Sequence, residues 1–290
     1  MKYRILTILI GCLLSAPAWG ATSSWTYLMQ LPARTADVKI DRPIAIAVDD
    51  ESQRYYVVDA VGGTLVSFDR DGKHLTAFNA GGELKQPVAM TKGLRGTLWV
   101  VERSTNQLLY VNPQEQKVRR FSLTYPDGSL IFPARLALDG QGRLLVLDRM
   151  KGAVVRLDDN LKVEKIFAGG EGSRGFADFK VKGGTLWALD GLAGTVYQFS
   201  GDGAGREVTL STPLEFPVSL EIDEGGLLYV LDRHAGKVAV FGPQGDFRFE
   251  FLDQGKGHGR LWYPSQLLFD WAGRLCIVDE GNSRVDVFSR

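Results

Sequence analysis

Apolar residues in this chain come in short runs that end on an acid. "YYVVD" closes at Asp59, "LWVVE" at Glu102, "LLVLD" at Asp148, "LWALD" at Asp190, "LYVLD" at Asp232 and "LCIVD" at Asp279. Successive acids lie 42 to 47 residues apart. Six residues after each acid stands an aliphatic side chain: Leu65, Leu108, Val154, Val196, Val238 and Val285. Nine after it stands another apolar one: Phe68, Val111, Leu157, Phe199, Phe241 and Phe288. Fifteen or sixteen before it stands a proline in five copies (Pro43, Pro87, Pro133, Pro217, Pro264). The fourth copy has "RGF" at 174–176 instead, which puts Phe176 at the proline position.

The runs are apolar at nearly every position, as expected of strands buried on both faces. No window carries a 3.6-residue apolar period of useful length, which excludes helical repeats. Each copy predicts four short strands, a to d. Proline opens strand a, where its missing donor does little harm. Strand b ends on the acid. Strand c follows a short turn, as in "GKVAVF", and strand d follows a Gly or Asn turn, as in "KHLTAFN" or "FRFEFLD". Four strands per 42–47 residues is a propeller period. The fold expected over residues 21–290 is all-β: a six-bladed β-propeller of four-stranded blades. The sixth copy stops at "RVDVF" and lacks a strand d, leaving an edge that invites aggregation. The one strand-like stretch left unassigned is "SWTYLMQLP", Ser24 to Pro32. It is expected to pair with Arg284–Phe288 and close the ring.

The first twenty residues read differently. Lys2 and Arg4 precede an apolar run, Ile5 to Leu14, and then the small residues of "SAPAWGA". This is the pattern of a secretory signal peptide, residues 1–20, cut after Gly20 or earlier, after Ala18. The apolar run is too short to span a bilayer comfortably. "LIGC", ending at Cys12, leaves a lipoprotein alternative open. Cleavage would remove Cys12 and leave Cys276 without an internal partner, expected as a small buried hydrophobe. The location implied is periplasmic or secreted, and the expected state is a monomer. Basic and acidic residues number 34 each, so bulk charge gives no reason to expect a nucleic-acid partner.

The copies resemble NHL repeats across residues 24–290. The best match is "GKGHGRLWYPSQLLFDWAGRLCIVDEGNSRVDVF", with its glycine-rich lead-in, an aromatic before Pro264 and the "VD-x-G-N-x-R-V-x-V-F" ending. The resemblance implies that the b–c and d–a loops share one face and that strand a lines a central channel. It points to no single activity, because the family covers binding scaffolds and a few enzymes.

On that geometry two sites are expected. The b–c loops carry Arg103, Arg149, Arg233 and His234, a basic face for an acidic protein, peptide or glycan partner. The alternative is that these cations pair with the acids ending strands b. The second site is the channel, where Arg135, Asp178, Lys180 and Glu221 fall on three successive blades as an ion-pair network or a small polar pocket. The function expected is an exported binding scaffold. The runner-up is a channel-mouth lyase or hydrolase acting on a small charged substrate. The three histidines, His74, His234 and His258, show no metal-binding spacing, and no catalytic set or cofactor is assigned. "GEGSRG" at 170–175 precedes a strand rather than a helix, so it is not read as a dinucleotide loop.

Overall fold

In the computed structural model, which describes residues 25–32, 38–115, 117–201 and 205–290, six four-stranded antiparallel sheets are present. Blade I runs Pro43–Asp49, Arg54–Asp59, Thr64–Phe68 and His74–Phe78. Blade II runs Pro87–Lys92, Leu98–Glu102, Gln107–Asn112 and Lys117–Phe121. Blade III runs Pro133–Leu138, Leu144–Asp148, Ala153–Leu157 and Val163–Phe167. Blade IV runs Asp178–Lys182, Thr185–Asp190, Thr195–Ser200 and Arg206–Thr209, and blade V runs Pro217–Ile222, Leu228–Asp232, Lys237–Phe241 and Phe247–Phe251. Blade VI takes Gln266–Phe269, Leu275–Asp279 and Arg284–Ser289 from the C-terminal end of the chain and Thr26–Leu31 from the N-terminal part. Each strand a touches strand a of the next blade, and that of blade VI touches that of blade I. The ring is closed. Residues 1–20, read above as a signal peptide, and Ser24 lie outside the described residues.

The core sits between blades rather than within any one of them. Alternate residues of a strand point to opposite faces, and each blade has a neighbour on either side. In blade VI, Leu275 and Ile277 pack with Tyr229, Leu231 and Val240 of blade V. Cys276 and Val278 pack with Tyr55, Val57 and Phe68 of blade I. This is why the runs are apolar at consecutive positions. All six residues in the position six after the acid, and all six in the position nine after it, are buried. Fully burying such a side chain contributes about 1.5–3 kcal/mol. Cys276 is wholly buried, and burial pushes its thiol well above the ordinary range.

The prolines have a structural reason as well. In blades I, II, III and V the register slips one residue just after the proline, so that Pro43 and Ala45, Pro87 and Ala89, Pro133 and Arg135, and Pro217 and Ser219 oppose adjacent partners on strand b. A bulge is a natural place for a residue without an N–H. Blade IV has Phe176 instead of proline, and its a–b pairing starts at Asp178 and runs without a slip.

The closing strand pairs as expected, shifted by a residue at each end: Thr26 opposes Ser289, Tyr27 opposes Phe288 and Leu31 opposes Val285. Leu28 is skipped, and it is exposed. The same skip occurs opposite Phe68 in blade I, Leu157 in blade III and Phe241 in blade V, where a hairpin joins strands c and d. The closing strand thus copies hairpin geometry with no hairpin to impose it. Just before it, Trp25 lies parallel to Phe251 at 6.1 Å and to Phe269 at 6.0 Å, and edge-on to Tyr229 at 6.1 Å. The Arg290 guanidinium covers its ring at 4.7 Å. Stacking of this kind adds about 0.5–1.5 kcal/mol per pair beyond area burial.

Candidate functional site

An antiparallel meander puts the b–c and d–a loops on one face, so the acids ending strands b stand at its base. These acids hold loops. Asp232 accepts from the backbone N–H of Glu215 and Phe216 in the d–a loop, and of His234 and Ala235 in the b–c turn, at 2.6–3.1 Å. Asp59 does the same for Asp41, Arg42, Val61 and Gly62. Glu102, Asp148 and Asp190 also bridge the two loops. Each staple gives otherwise unpaired loop amides a charged acceptor, the stronger class of hydrogen bond. With their oxygens taken, these acids do not neutralise the loop cations. The expected pairing of Arg103, Arg149 and His234 with them does not occur. The exception is in blade VI, where Arg284 lies 3.1 Å from Asp279.

The candidate cations consequently have different fates. Arg233 braces two blades: Nη1 lies 2.8 Å from Glu280 and donates to the carbonyls of Tyr263 and Pro264. His234 is exposed and stacks on Phe216 at 4.7 Å. Arg149 is exposed, with its guanidinium over the Phe132 ring at 5.2 Å. Arg103 is exposed and has no carboxylate in salt-bridge range among the described residues. Its own charge is disfavoured: partial burial is the larger cause, followed by the nearby Arg149, Arg135 and Arg42.

The channel residues do come together, in two pairs. Arg135 Nε lies 3.6 Å from Asp178 Oδ1, and Lys180 Nζ lies 3.9 Å from Glu221 Oε2. The Asp178 carboxylate, 1% exposed, accepts from Ser219 Oγ at 2.6 Å and from the Leu220 N–H at 3.1 Å. Arg135 Nη2 reaches the Ser265 carbonyl at 3.0 Å, so a blade III side chain spans the ring to the opposite blade VI. Lys180 reaches the Leu267 carbonyl, and Lys182 the Ile222 carbonyl. Gln266 accepts from the Ile46 N–H, and Ser219 from the Leu267 N–H. Strand a has an inner edge with no partner strand, and these side chains satisfy it. Burial raises the Glu221 carboxyl above its ordinary range, against the opposing pull of Lys180, the Ile222 N–H and Lys182.

The charge pattern of the loop face does not reveal its apolar tips. Val61, Leu130, Met150, Leu192, Phe216 and Tyr263 are exposed there, with Leu192 at 74%. The other exposed large apolar residues lie on outer strands d (Leu28, Leu75, Ile166, Phe247), apart from Leu94 on the opposite face. The signal was present in the b–c turns "RMKG" and "GLAG", where a Met and a Leu occupy positions that solvated turns leave polar. Met150, Lys151, Arg174, Leu192 and Phe216 line a cleft of about 680 Å³ between blades III, IV and V. A larger gap, about 890 Å³, opens between the outer strands of blades I and II. Its floor is the interblade core of Leu65, Phe78, Leu98 and Val111, exposed where two fanning sheets diverge, and it lies away from these cations.

Among the described residues no three His, Cys, Asp or Glu side chains gather as a metal ligand set, and no helix is long and apolar enough to cross a membrane. No family model matches the chain. NHL repeat-containing protein 3 of Homo sapiens is 30% identical over 91 residues, which is 30% of this chain and 26% of that protein, and its Mus musculus counterpart matches equally. The chain shows distant similarity to NHL repeat-containing protein 3. The match spans about a quarter of those relatives' length. Among solved structures, virginiamycin B lyase from Staphylococcus aureus superposes with a TM-score of 0.66 at 14% identity, covering 92% of this chain and 99% of that one. A gluconolactonase from Xanthomonas campestris gives 0.66 at 16% identity, covering 91% and 98%. At such identities the likeness is one of fold.

Proposed function

We propose that the protein is an exported docking scaffold that binds a protein or peptide partner, acidic in character, through its b–c/d–a face. The carrying observation is that exposed apolar tips and uncompensated arginines share this face. Met, aromatic and Arg side chains are the types enriched at protein interfaces, and concentrated exposed apolar surface marks interaction sites. The staples add pre-organisation: loops held by buried carboxylates lose little freedom on binding. A glycan would also suit rings such as Phe216 and Tyr263, but Met150 and Leu192 favour a polypeptide. Export rests on the N-terminal pattern alone.

A second reading, a channel-mouth lyase or hydrolase, is favoured by one observation. Glu221 is a carboxyl with a raised pKa beside Lys180, the kind of group that serves as a general acid. The inter-blade hydrogen bonds made by its neighbours suit a structural role better.

The docking reading is tested by capture from the envelope fraction of the source cells. Met150→Asp/Leu192→Asp should lose the partner by about tenfold or more, since two apolar anchors are replaced by charge. Ile166→Asp, on an exposed outer-strand position, should retain it. Equal capture by both variants contradicts the proposal.

A further inference from the structure

The residue that follows the strand-b acid holds an equivalent sequence position in each copy. In blades I, II, III and V its N–H bonds back to the residue before the strand-a proline, Ala60 to Arg42, Arg103 to Gln86, Arg149 to Phe132 and Arg233 to Phe216, at 2.9–3.0 Å. Around the ring these positions hold Ala60, Arg103, Arg149, Gly191, Arg233 and Glu280. Arg233 and Glu280 neutralise each other on blades V and VI. Blades II and III present Arg103 and Arg149 with no carboxylate partner among the described residues. Blade I presents only the small Ala60, but Arg42 stands immediately before its strand a. Arg135 lies just inside, on strand a of blade III. The mouth is therefore a cationic arc over blades I to III, in which Arg42, Arg103 and Arg149 have no carboxylate in salt-bridge range among the described residues and Arg135 beneath them faces Asp178.

Two of these guanidiniums are incompletely satisfied. Arg42 Nε is buried and has no hydrogen-bond partner; Arg135 Nε is buried as well and makes no hydrogen bond, although the Asp178 carboxylate lies 3.6 Å away. A buried donor left unpaired is costly, so the Arg42 Nε, which has neither a hydrogen bond nor a carboxylate in salt-bridge range among the described residues, calls for an acceptor. Arg103 feels Arg149, Arg135 and Arg42 as repulsion, with only the smaller pull of Glu280 opposing them. A planar guanidinium fork matches an oxyanion better than any other partner.

We propose that the channel mouth is an anion seat, in which a compact, multiply charged oxyanion, a carboxylate or a phosphate, is held by Arg42, Arg103 and Arg149 with Arg135 beneath. The seat rests on the docking reading only for the source of its anion, which is either free in solution or carried on the partner. Arg42 is the member that charge counting on the b–c loops does not find, because it sits on the d–a side.

The test is calorimetric titration of the purified protein at fixed ionic strength with three probes: inorganic phosphate, citrate and an oligo-glutamate peptide. At least one should bind, and Arg103→Gln/Arg149→Gln should weaken it by about tenfold or more, because charge-assisted hydrogen bonds are lost. Arg119→Gln, an exposed outer-strand arginine of blade II, should leave binding unchanged. Which probe binds identifies the source. A second readout is independent of affinity: without anion, Arg103→Gln should melt no lower than the parent, because it relieves repulsion. The proposal is overturned if no probe binds, or if the double variant and the Arg119 control bind alike. Since the probes are free of any partner, the seat can fail while the docking face stands, and the reverse.

Discussion

Asp286 shows how much one residue can be asked to do in a closed ring. It lies on strand c of blade VI, wholly buried, between Ile277 on one side and Gln30 of the closing strand on the other. Arg284 Nε has a single proton, which it gives to Oδ2 at 3.0 Å, so Oδ1 has charge nearby but no hydrogen bond. Burial pushes its carboxyl up from the ordinary 3.8 to about 7, with Asp279 adding to the rise and Arg284 opposing it. Asp279 is better held, by the Trp262 N–H, Asn282 and Arg284, so Asp286 is the acid that takes the proton. A raised folded-state pKa means the folded state binds the proton more tightly than the unfolded state. The stabilisation is fully present below about pH 4 and is lost as pH rises through about 7. Asp286→Asn should therefore be more stable than the parent at pH 8, by about 4 kcal/mol at most, with the difference shrinking at pH 5. Urea denaturation at the two pH values checks this, and parallel profiles contradict it. The acids ending strands b were legible in the sequence as a repeat, but their work was not. In every blade their partners include backbone amides, which all residues but proline carry and no residue letter marks.

The closing strand was legible because the sixth copy lacked one element and one unassigned stretch had the pattern to supply it. Its partner and direction follow from that deficit alone. The skipped Leu28 and the place of Trp25 do not, since both depend on how blades V and VI lean together. Trp25 is 8% exposed and touches Phe251, Tyr229 and Phe269, so it fixes the closing strand to two blades at once. Trp25→Ala should cost about 3–5 kcal/mol, the usual range for removing a large buried aromatic. A chemical-denaturation midpoint reads this directly. A loss under 1 kcal/mol, within the scatter of surface changes, would show that the ring closes without help from this residue.

The molecule as a whole divides its labour between ring and rim. Cores between blades and the staples at each strand b make a rigid ring, and polar side chains from Arg135 to Gln266 cover the inner edge that the fold leaves open. Six of the eleven exposed large apolar residues among the described residues gather on one face, and the unpaired arginines Arg103 and Arg149 stand on it with them. The charge was visible in the sequence once the repeat was aligned. The apolar tips became meaningful only with the face, because single exposed hydrophobic residues are ordinary and a shared surface of them is not. The central claim is that this face, and not its opposite, meets the partner. It is tested most directly by a photo-crosslinking residue placed at Leu192 and, separately, at Leu94, both about three-quarters exposed but on opposite faces. The account predicts a discrete crosslinked product in the source cells from position 192 and none from 94. Crosslinking from 94 alone, or equally from both, would contradict it.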